Sequence, residues 1–155
     1  MVEEVKTKPI VKKTGRIFGV LSALLAVIYA VFVFAILDES VVKAMLVQSG
    51  IEPTSNIIGA ILNNIRFTGI LYIIAYISGV VAIWNQHPYL WWFIFTVFIS
   101  NVMYNAINVA SIVKAIATEK GAVATIPLLI VVVVSLVAAV YMLVVSIRRK
   151  TTFNR

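Results

Sequence analysis

The sequence predicts an all-α integral membrane protein, and both its composition and its pattern of apolar residues support that prediction. Of the 155 residues, 62% are hydrophobic and 12% are charged, whereas a soluble domain has about 45–50% apolar and about 25% charged residues. The apolar residues also fall into four long blocks, and each exceeds the roughly 18 residues that indicate a membrane-spanning helix. We therefore expect four transmembrane helices in an up-down bundle.

The four expected helices occupy almost the whole chain, at positions 17–37, 57–84, 89–113 and 123–147. A basic tail, 1–16, precedes them, and a second basic tail, 148–155, follows them. The connections are too short for a soluble domain, so residues 17–147 are expected to form one transmembrane domain. The first block follows basic residues, as in a signal peptide, but it is too long for one and no cleavage site of small residues closes it.

The basic residues predict the orientation of the chain. With four crossings both termini lie on one side, and that side carries nine of the 13 basic residues: Lys6, Lys8, Lys12, Lys13, Arg16, Arg148, Arg149, Lys150 and Arg155. The other side carries Lys43, Arg66, Lys114 and Lys120. This excess predicts cytoplasmic termini in a protein of the cytoplasmic membrane. Attraction to anionic lipid headgroups accounts for the charge, and no nucleic-acid partner is expected.

The connections contain residues that begin and end helices. On the inner side, WNQHPYLWW combines a turn with aromatic residues typical of the headgroup level, and Pro88 suits the first turn of the third helix. Pro127 suits the first turn of the fourth helix. On the outer side, DESVVKAMLVQSGIEPTSN predicts a short amphipathic helix between the first two spanning helices, which Gly50 and Pro53 are suited to end.

The order of a first helix, an outer segment ending in SGIEP and a second helix is similar to DoxX-like four-helix membrane proteins. The similarity covers less than half of the chain. The similarity would lead us to expect an acidic residue in the second spanning helix. That helix carries Asn63, Asn64 and Arg66 instead, so we infer no family membership.

The third spanning helix contains the most unusual stretch, NVMYNAINVASIVK. Its polar residues share one helix face, and those of the second spanning helix come at a similar depth, in the outer half of the bilayer. Together the polar residues at this depth are Asn63, Asn64, Arg66, Asn101, Tyr104, Asn105, Asn108, Ser111 and Lys114. Because lipid offers no hydrogen bonds, these residues are expected to face protein or water.

Three interpretations of this polar face remain open. The side chains bind helices of the bundle to one another, they face another membrane protein, or they line a hydrated pathway. If the second spanning helix enters the bilayer only at Phe67, Arg66 reaches the headgroups by snorkelling, and Lys114 does the same at the end of the third helix.

Small residues at four-residue spacing predict close packing of the first two spanning helices. They are Gly15, Gly19 and Ala23 in the first helix and Ala75 and Gly79 in the second. The spacing fits packing within the bundle and packing against a neighbouring subunit equally well.

Several residue types needed for catalysis are missing from the sequence. The chain has no cysteine and one histidine, so neither an iron–sulfur cluster, nor a bis-histidine haem, nor a metal site is expected. No acidic residue lies inside the four apolar blocks, where proton-coupled small multidrug transporters carry a carboxylate. We predict no catalytic residues and no cofactor, and a self-contained enzyme is not expected.

Two functions are compatible with these features. The first is a non-catalytic accessory or structural subunit of a larger membrane protein complex, with the bilayer and either other subunits or further copies of itself as partners. The alternative is a small oligomeric transporter or channel whose outward-facing vestibule is lined by Asn63, Arg66, Asn101, Asn105 and Asn108. The apolar cytoplasmic halves of the helices argue against a continuous polar pathway.

Overall fold

A computed structural model of the chain describes residues 9–149 and residue 152. Every regular element in this part of the chain is helical. The five α-helices are α1 Pro9–Val31, α2 Glu39–Gln48, α3 Ser55–Gly79, α4 Pro88–Lys120 and α5 Ile126–Arg149. Of the basic residues that predict the orientation, Lys6, Lys8, Lys150 and Arg155 lie outside the described residues, as do half of the first predicted tail and most of the second.

Four segments are long and apolar enough to cross a membrane: Val11–Ile36, Ser55–Ile83, Pro88–Lys120 and Ala122–Arg148. The prediction of an all-helical protein with four helices long and apolar enough to span a membrane is therefore confirmed for the described residues. The second segment begins two residues before its predicted start at 57, and the third continues seven residues beyond its predicted end at 113. At 1.5 Å per residue α4 extends about 50 Å, well beyond the roughly 30 Å of hydrocarbon in a bilayer.

The first spanning segment ends in a π-helical turn, Phe32–Ile36. In this turn the Leu37 N–H donates to the Phe32 carbonyl oxygen over 2.9 Å. Leu37 itself is extended and fully buried, so the chain leaves the helix while still inside the bundle. Because a helix end leaves carbonyl groups without partners, this buried end needs hydrogen-bond donors from elsewhere.

Both ends of α2 are closed by side-chain and backbone hydrogen bonds. Asp38 caps the first turn by accepting from the Val41 N–H over 3.2 Å, as short acidic residues do. At the other end Gly50 adopts a left-handed φ of 72°, and the Ile51 N–H donates to the Leu46 carbonyl over 2.9 Å. This is the Schellman arrangement, in which a glycine ends a helix. The predicted amphipathic helix is thus present.

Helix α2 lies across the ends of the spanning helices. Its apolar residues Val41, Val42 and Leu46 are buried, and the helix packs against α4 and α3. We refer to this end of the bundle as the α2 end and to the end that carries Lys12 and Arg148 as the terminal end.

At the terminal end, α4 begins as the sequence predicts. His87 is the N-cap residue, its Nδ1 accepting from the Tyr89 N–H over 3.3 Å, and Pro88 occupies the first turn. Trp84 and Tyr89 are 75% and 81% exposed, as residues of an aromatic belt at a membrane surface would be. Trp91 differs from this pattern because it is buried, and its Nε1 donates to Ser146 Oγ over 2.9 Å.

Close packing of α1 on α3 depends on glycine. A methyl group at Gly79 would lie 2.6 Å from Ser22 Oγ, and one at Gly15 would lie 2.5 Å from the Ala82 carbonyl oxygen. Gly19 is equally crowded, against Ile83. These glycines therefore serve contacts inside the bundle. The other small residues predicted to pack, Ala23 and Ala75, are half-buried.

Candidate functional site: a buried polar layer and an open gap beside helix α4

A layer of polar side chains crosses the interior of the bundle, and all four spanning helices contribute to it. Its members, which we call the polar layer, are Tyr29, Tyr72, Tyr76, Asn101, Tyr104, Asn105 and Ser135. Lipid cannot satisfy these groups, so their hydrogen bonds have to come from one another.

The two asparagines of the polar layer pair within α4. Asn105 Nδ2 donates to the Asn101 carbonyl oxygen over 2.8 Å and to Asn101 Oδ1 over 3.2 Å. Asn101 is fully buried and Asn105 is 2% exposed. The Asn101 Nδ2 group makes no hydrogen bond of normal geometry with the described residues, although the Asn101 side chain interacts with that of Tyr29.

Tyrosines from α1 and α3 surround these amides. Tyr29 is buried and its side chain interacts with both Asn105 and Asn101. The rings of Tyr29 and Tyr76 meet edge to face, with centroids 6.3 Å apart, and the Tyr76 hydroxyl shares a 2.9 Å hydrogen bond with Ser135 Oγ. The polar layer therefore joins α1, α3, α4 and α5 through aromatic contacts and hydrogen bonds.

The exposed aromatic residues allow the bundle to be placed relative to the bilayer. Trp84 and Trp92 mark one boundary, and about 20 residues correspond to the roughly 30 Å of hydrocarbon. The other boundary then passes near Asn64 on α3 and Ile112 on α4. With these boundaries we expect the polar layer near the middle of the membrane and Asn108 about 6 Å inside the boundary at the α2 end.

Arg66 binds the buried end of the first spanning segment. Its Nη2 donates to the Leu37 carbonyl oxygen over 3.1 Å, supplying a donor to the helix end that follows the π-helical turn. The side chain is partly buried, and its Nε has no partner among the described residues. Arg66 thus faces protein near the expected membrane boundary. From the sequence alone it could have lined a pathway or reached the headgroups by snorkelling.

Asn108 belongs to the stripe of α4 that faces the bundle, as its spacing from the neighbouring members shows. The other members of this stripe are all buried: Asn101, Asn105, Ile112 and Ala115. Asn108 alone among them is exposed, and Tyr104 and Ser111 beside it are half-buried. The bundle is therefore open beside α4 at this level, and we call this opening the Asn108 gap.

The residues predicted to form one polar face occupy three different environments. Asn101 and Asn105 are buried in the polar layer, whereas Tyr104, Asn108 and Ser111 surround the Asn108 gap. The remaining residues lie at or beyond the membrane boundary, with Arg66 partly buried and the others exposed: Asn63, Asn64 and Lys114.

Four members of the polar layer were not indicated by the sequence pattern: Tyr29, Tyr72, Tyr76 and Ser135. Tyr29 and Ser135 each stand alone among apolar residues, so neither creates a polar face on its helix. Tyr72 and Tyr76 are four residues apart on α3, but both lie in an otherwise apolar stretch. A comparison of the depths of the isolated polar residues in the four blocks would have shown that these four residues lie at a similar level.

A charged cluster at the α2 end joins two segments that are far apart in the chain. Lys120 Nζ forms an ion pair with Asp38 Oδ2, and the Ser40 hydroxyl donates to Asp38 Oδ1 over 2.6 Å. Burial raises the pKa of Asp38, but the hydrogen bonds from Lys120, Ser40 and the Val41 backbone outweigh it and lower that pKa to about 2.

The side chains of the polar layer and the gap can donate and accept hydrogen bonds. The side chains are phenols, amides and hydroxyls, without a carboxylate, imidazole or amine for proton transfer. Among the described residues, no three histidine, aspartate or glutamate side chains come together to hold a metal ion.

Comparisons of the chain with protein-family models, with curated proteins and with solved structures give no match. The function has to be argued from the geometry of these residues.

Proposed function

We propose that the chain is a non-catalytic accessory or structural subunit of a larger complex in the cytoplasmic membrane, and that a helix of a larger subunit docks in the Asn108 gap. In this proposal the four spanning helices form an up-down bundle with both termini in the cytoplasm. The excess of basic residues near the termini supports that orientation.

The exposure of Asn108 is the observation that carries the proposal. An amide inside the hydrocarbon region finds no hydrogen-bond partner in lipid, and Asn108 lies on the stripe that is covered by protein above and below it. A spanning helix that carries a polar side chain at this depth would cover the opening and pair with the amide. Such hydrogen bonds between membrane helices contribute about 0.6 kcal/mol on average and up to about 2 kcal/mol.

The interior of the bundle favours docking over transport. Beyond Asn101 toward the terminal end, the inward stripe of α4 continues with Phe98, Ile94 and Trp91, and all three are buried. A polar route from the Asn108 gap would therefore end at the polar layer. A vestibule in an oligomer is the alternative, and the feature that favours it is the Asn101 Nδ2 group, which makes no hydrogen bond of normal geometry with the described residues.

The test is purification from the native membrane in a gentle detergent, followed by measurement of the native mass. We expect larger membrane subunits in fixed stoichiometry with this chain. Asn108→Leu should weaken their retention by about three- to thirtyfold, which corresponds to the loss of one interhelical hydrogen bond.

Asn56→Leu provides the matched control, because Asn56 is an equally exposed asparagine at the start of α3, outside the hydrocarbon region. It should leave the complex intact. A chain that runs alone as a homo-oligomer, or a complex that survives Asn108→Leu unchanged, would overturn the proposal and turn attention to flux measurements on Asn105→Leu.

A further inference from the structure

An apolar groove lies between α1 and α5 in the half of the bundle nearest the termini. It has a volume of about 460 Å³. Its walls include Ile17, Phe18, Leu21, Val133, Val137 and Tyr141. From Val133 to Tyr141 the groove extends about 12 Å along α5, which is close to the roughly 15 Å depth of one leaflet of the hydrocarbon core.

A second, more open groove runs along α1 beside the first. It has a volume of about 370 Å³, and all of its lining residues belong to α1: Arg16, Ile17, Val20, Leu21 and Leu24. Ile17 and Leu21 border both grooves. A groove between two helices with an open apolar strip beside it provides apolar surface for the two acyl chains of a glycerophospholipid.

Cationic side chains stand at the terminal end of both grooves. Lys13 precedes Ile17 by one helical turn and shares its face of α1, and Arg148 follows Tyr141 by two turns on the same face of α5. Both cations are exposed, and Arg16 lines the second groove. In the described part of the chain every acidic residue lies toward the α2 end: Asp38, Glu39, Glu52 and Glu119.

We propose that these grooves bind an anionic glycerophospholipid, with one acyl chain between α1 and α5, the other along the adjoining strip of α1, and its phosphate near Lys13, Arg16 and Arg148. A free anion would use the cations but not the grooves, and an apolar helix would use the grooves but not the cations. Only an anionic lipid uses both. This site is at the opposite end of the bundle from the Asn108 gap and does not depend on the docking proposal.

Trp91 provides a probe, because its ring lies 5.4 Å from that of Phe18, which lines the first groove. Replacing the two other tryptophans, Trp84→Phe and Trp92→Phe, leaves Trp91 as the only one. Both replaced residues are exposed, so the fold should tolerate the change. The measurement is quenching of Trp91 in phosphatidylcholine vesicles that contain brominated phosphatidylglycerol or, at the same mole fraction, brominated phosphatidylcholine.

We expect brominated phosphatidylglycerol to quench Trp91 more strongly than brominated phosphatidylcholine. Lys13→Gln and Arg148→Gln should each reduce this preference about fivefold, since a basic side chain near an anionic surface contributes about 1 kcal/mol. Val137→Phe, which fills the first groove, should reduce quenching by both lipids. Lys114→Gln removes an exposed cation at the α2 end and should leave the preference unchanged.

Equal quenching by the two brominated lipids would overturn the proposal, as would a preference that survives the combined Lys13→Gln and Arg148→Gln change. Inorganic phosphate should not reduce the preference more than chloride does at the same ionic strength. A specific reduction by phosphate would show a soluble-anion site and would also overturn the proposal.

Discussion

Arg66 illustrates how one side chain can complete a helix at a membrane boundary. The buried carbonyl of Leu37 follows the π-helical turn, and Arg66 Nη2 donates to it over 3.1 Å. A charged donor contributes more to such a bond than a neutral one. The position of Arg66 is therefore set by the end of another helix, and its function is to bind α3 to that end.

Replacing this donor should destabilise the bundle. Arg66→Leu removes the hydrogen bond and leaves the Leu37 carbonyl buried without a partner, so we expect a loss of about 1–3 kcal/mol in the free energy of unfolding. Unfolding in mixed detergent micelles measures the loss, and amide exchange should accelerate locally at the end of α1. Equal stability of Arg66→Leu and the parent would show that the bond does not contribute.

The amides of α4 show which residue-scale properties the sequence could predict. Because Asn101 and Asn105 lie in an apolar block, the sequence predicts that they face protein or water. Their environments could not be predicted, because burial depends on whether a neighbouring helix covers each position. Asn105 is covered and Asn108, less than one turn further, is exposed.

At the scale of elements, the close contact between α1 and α3 allows the packing of two helices to be tested by adding one methyl group. Gly79→Ala places a methyl group against Ser22 Oγ at 2.6 Å, and we expect a destabilisation of about 1–3 kcal/mol from overpacking. The free energy of unfolding again provides the measurement.

Gly59→Ala is the matched control on the same helix, because a methyl group there meets nothing within 4 Å. Replacement of a helical glycine by alanine stabilises a helix by up to about 1 kcal/mol. The two variants should therefore change stability in opposite directions. If both behaved alike, the α1 and α3 contact would not be as close as the structure has it.

The ends of the elements were harder to predict than the elements themselves. The apolar blocks identified four helices because hydropathy alone determines which segments can cross a bilayer. The last two turns of α4 contain Lys114, Glu119 and Lys120, so hydropathy ended the helix too early. These turns are nevertheless helical, and Ala115 and Ile116 within them are buried where α2 packs on α4.

At the scale of the whole molecule, the ion pair between Asp38 and Lys120 connects segments 82 residues apart. The pKa of Asp38 is lowered from 3.8 to about 2 in the folded protein, so the folded state binds fewer protons than the unfolded state between these values. Stability from this carboxylate is complete above about pH 4 and falls as the pH decreases toward 2.

Asp38→Asn should remove this pH dependence, and Lys120→Gln should reduce it, because each change takes away part of the interaction that lowers the pKa. Unfolding measured between about pH 5 and pH 2 tests both variants, because this range covers the interval between the unfolded-state pKa of 3.8 and the folded-state pKa of about 2. A parent protein whose stability stays constant from about pH 4 to pH 2 would contradict the expectation.

The surplus length of α4 determines how the protein responds to bilayers of different thickness. Since α4 is about 50 Å long and α5, with 24 residues, about 36 Å, part of α4 has to stand outside the hydrocarbon core. Its last two turns carry Lys114, Glu119 and Lys120 and are suited to do so. The exposed charges of α2, Glu39 and Lys43, resist entry into hydrocarbon. Helix α2 should therefore limit how far this end of the bundle enters the hydrocarbon core. We expect the protein to partition toward membranes whose thickness leaves α2 at the headgroups.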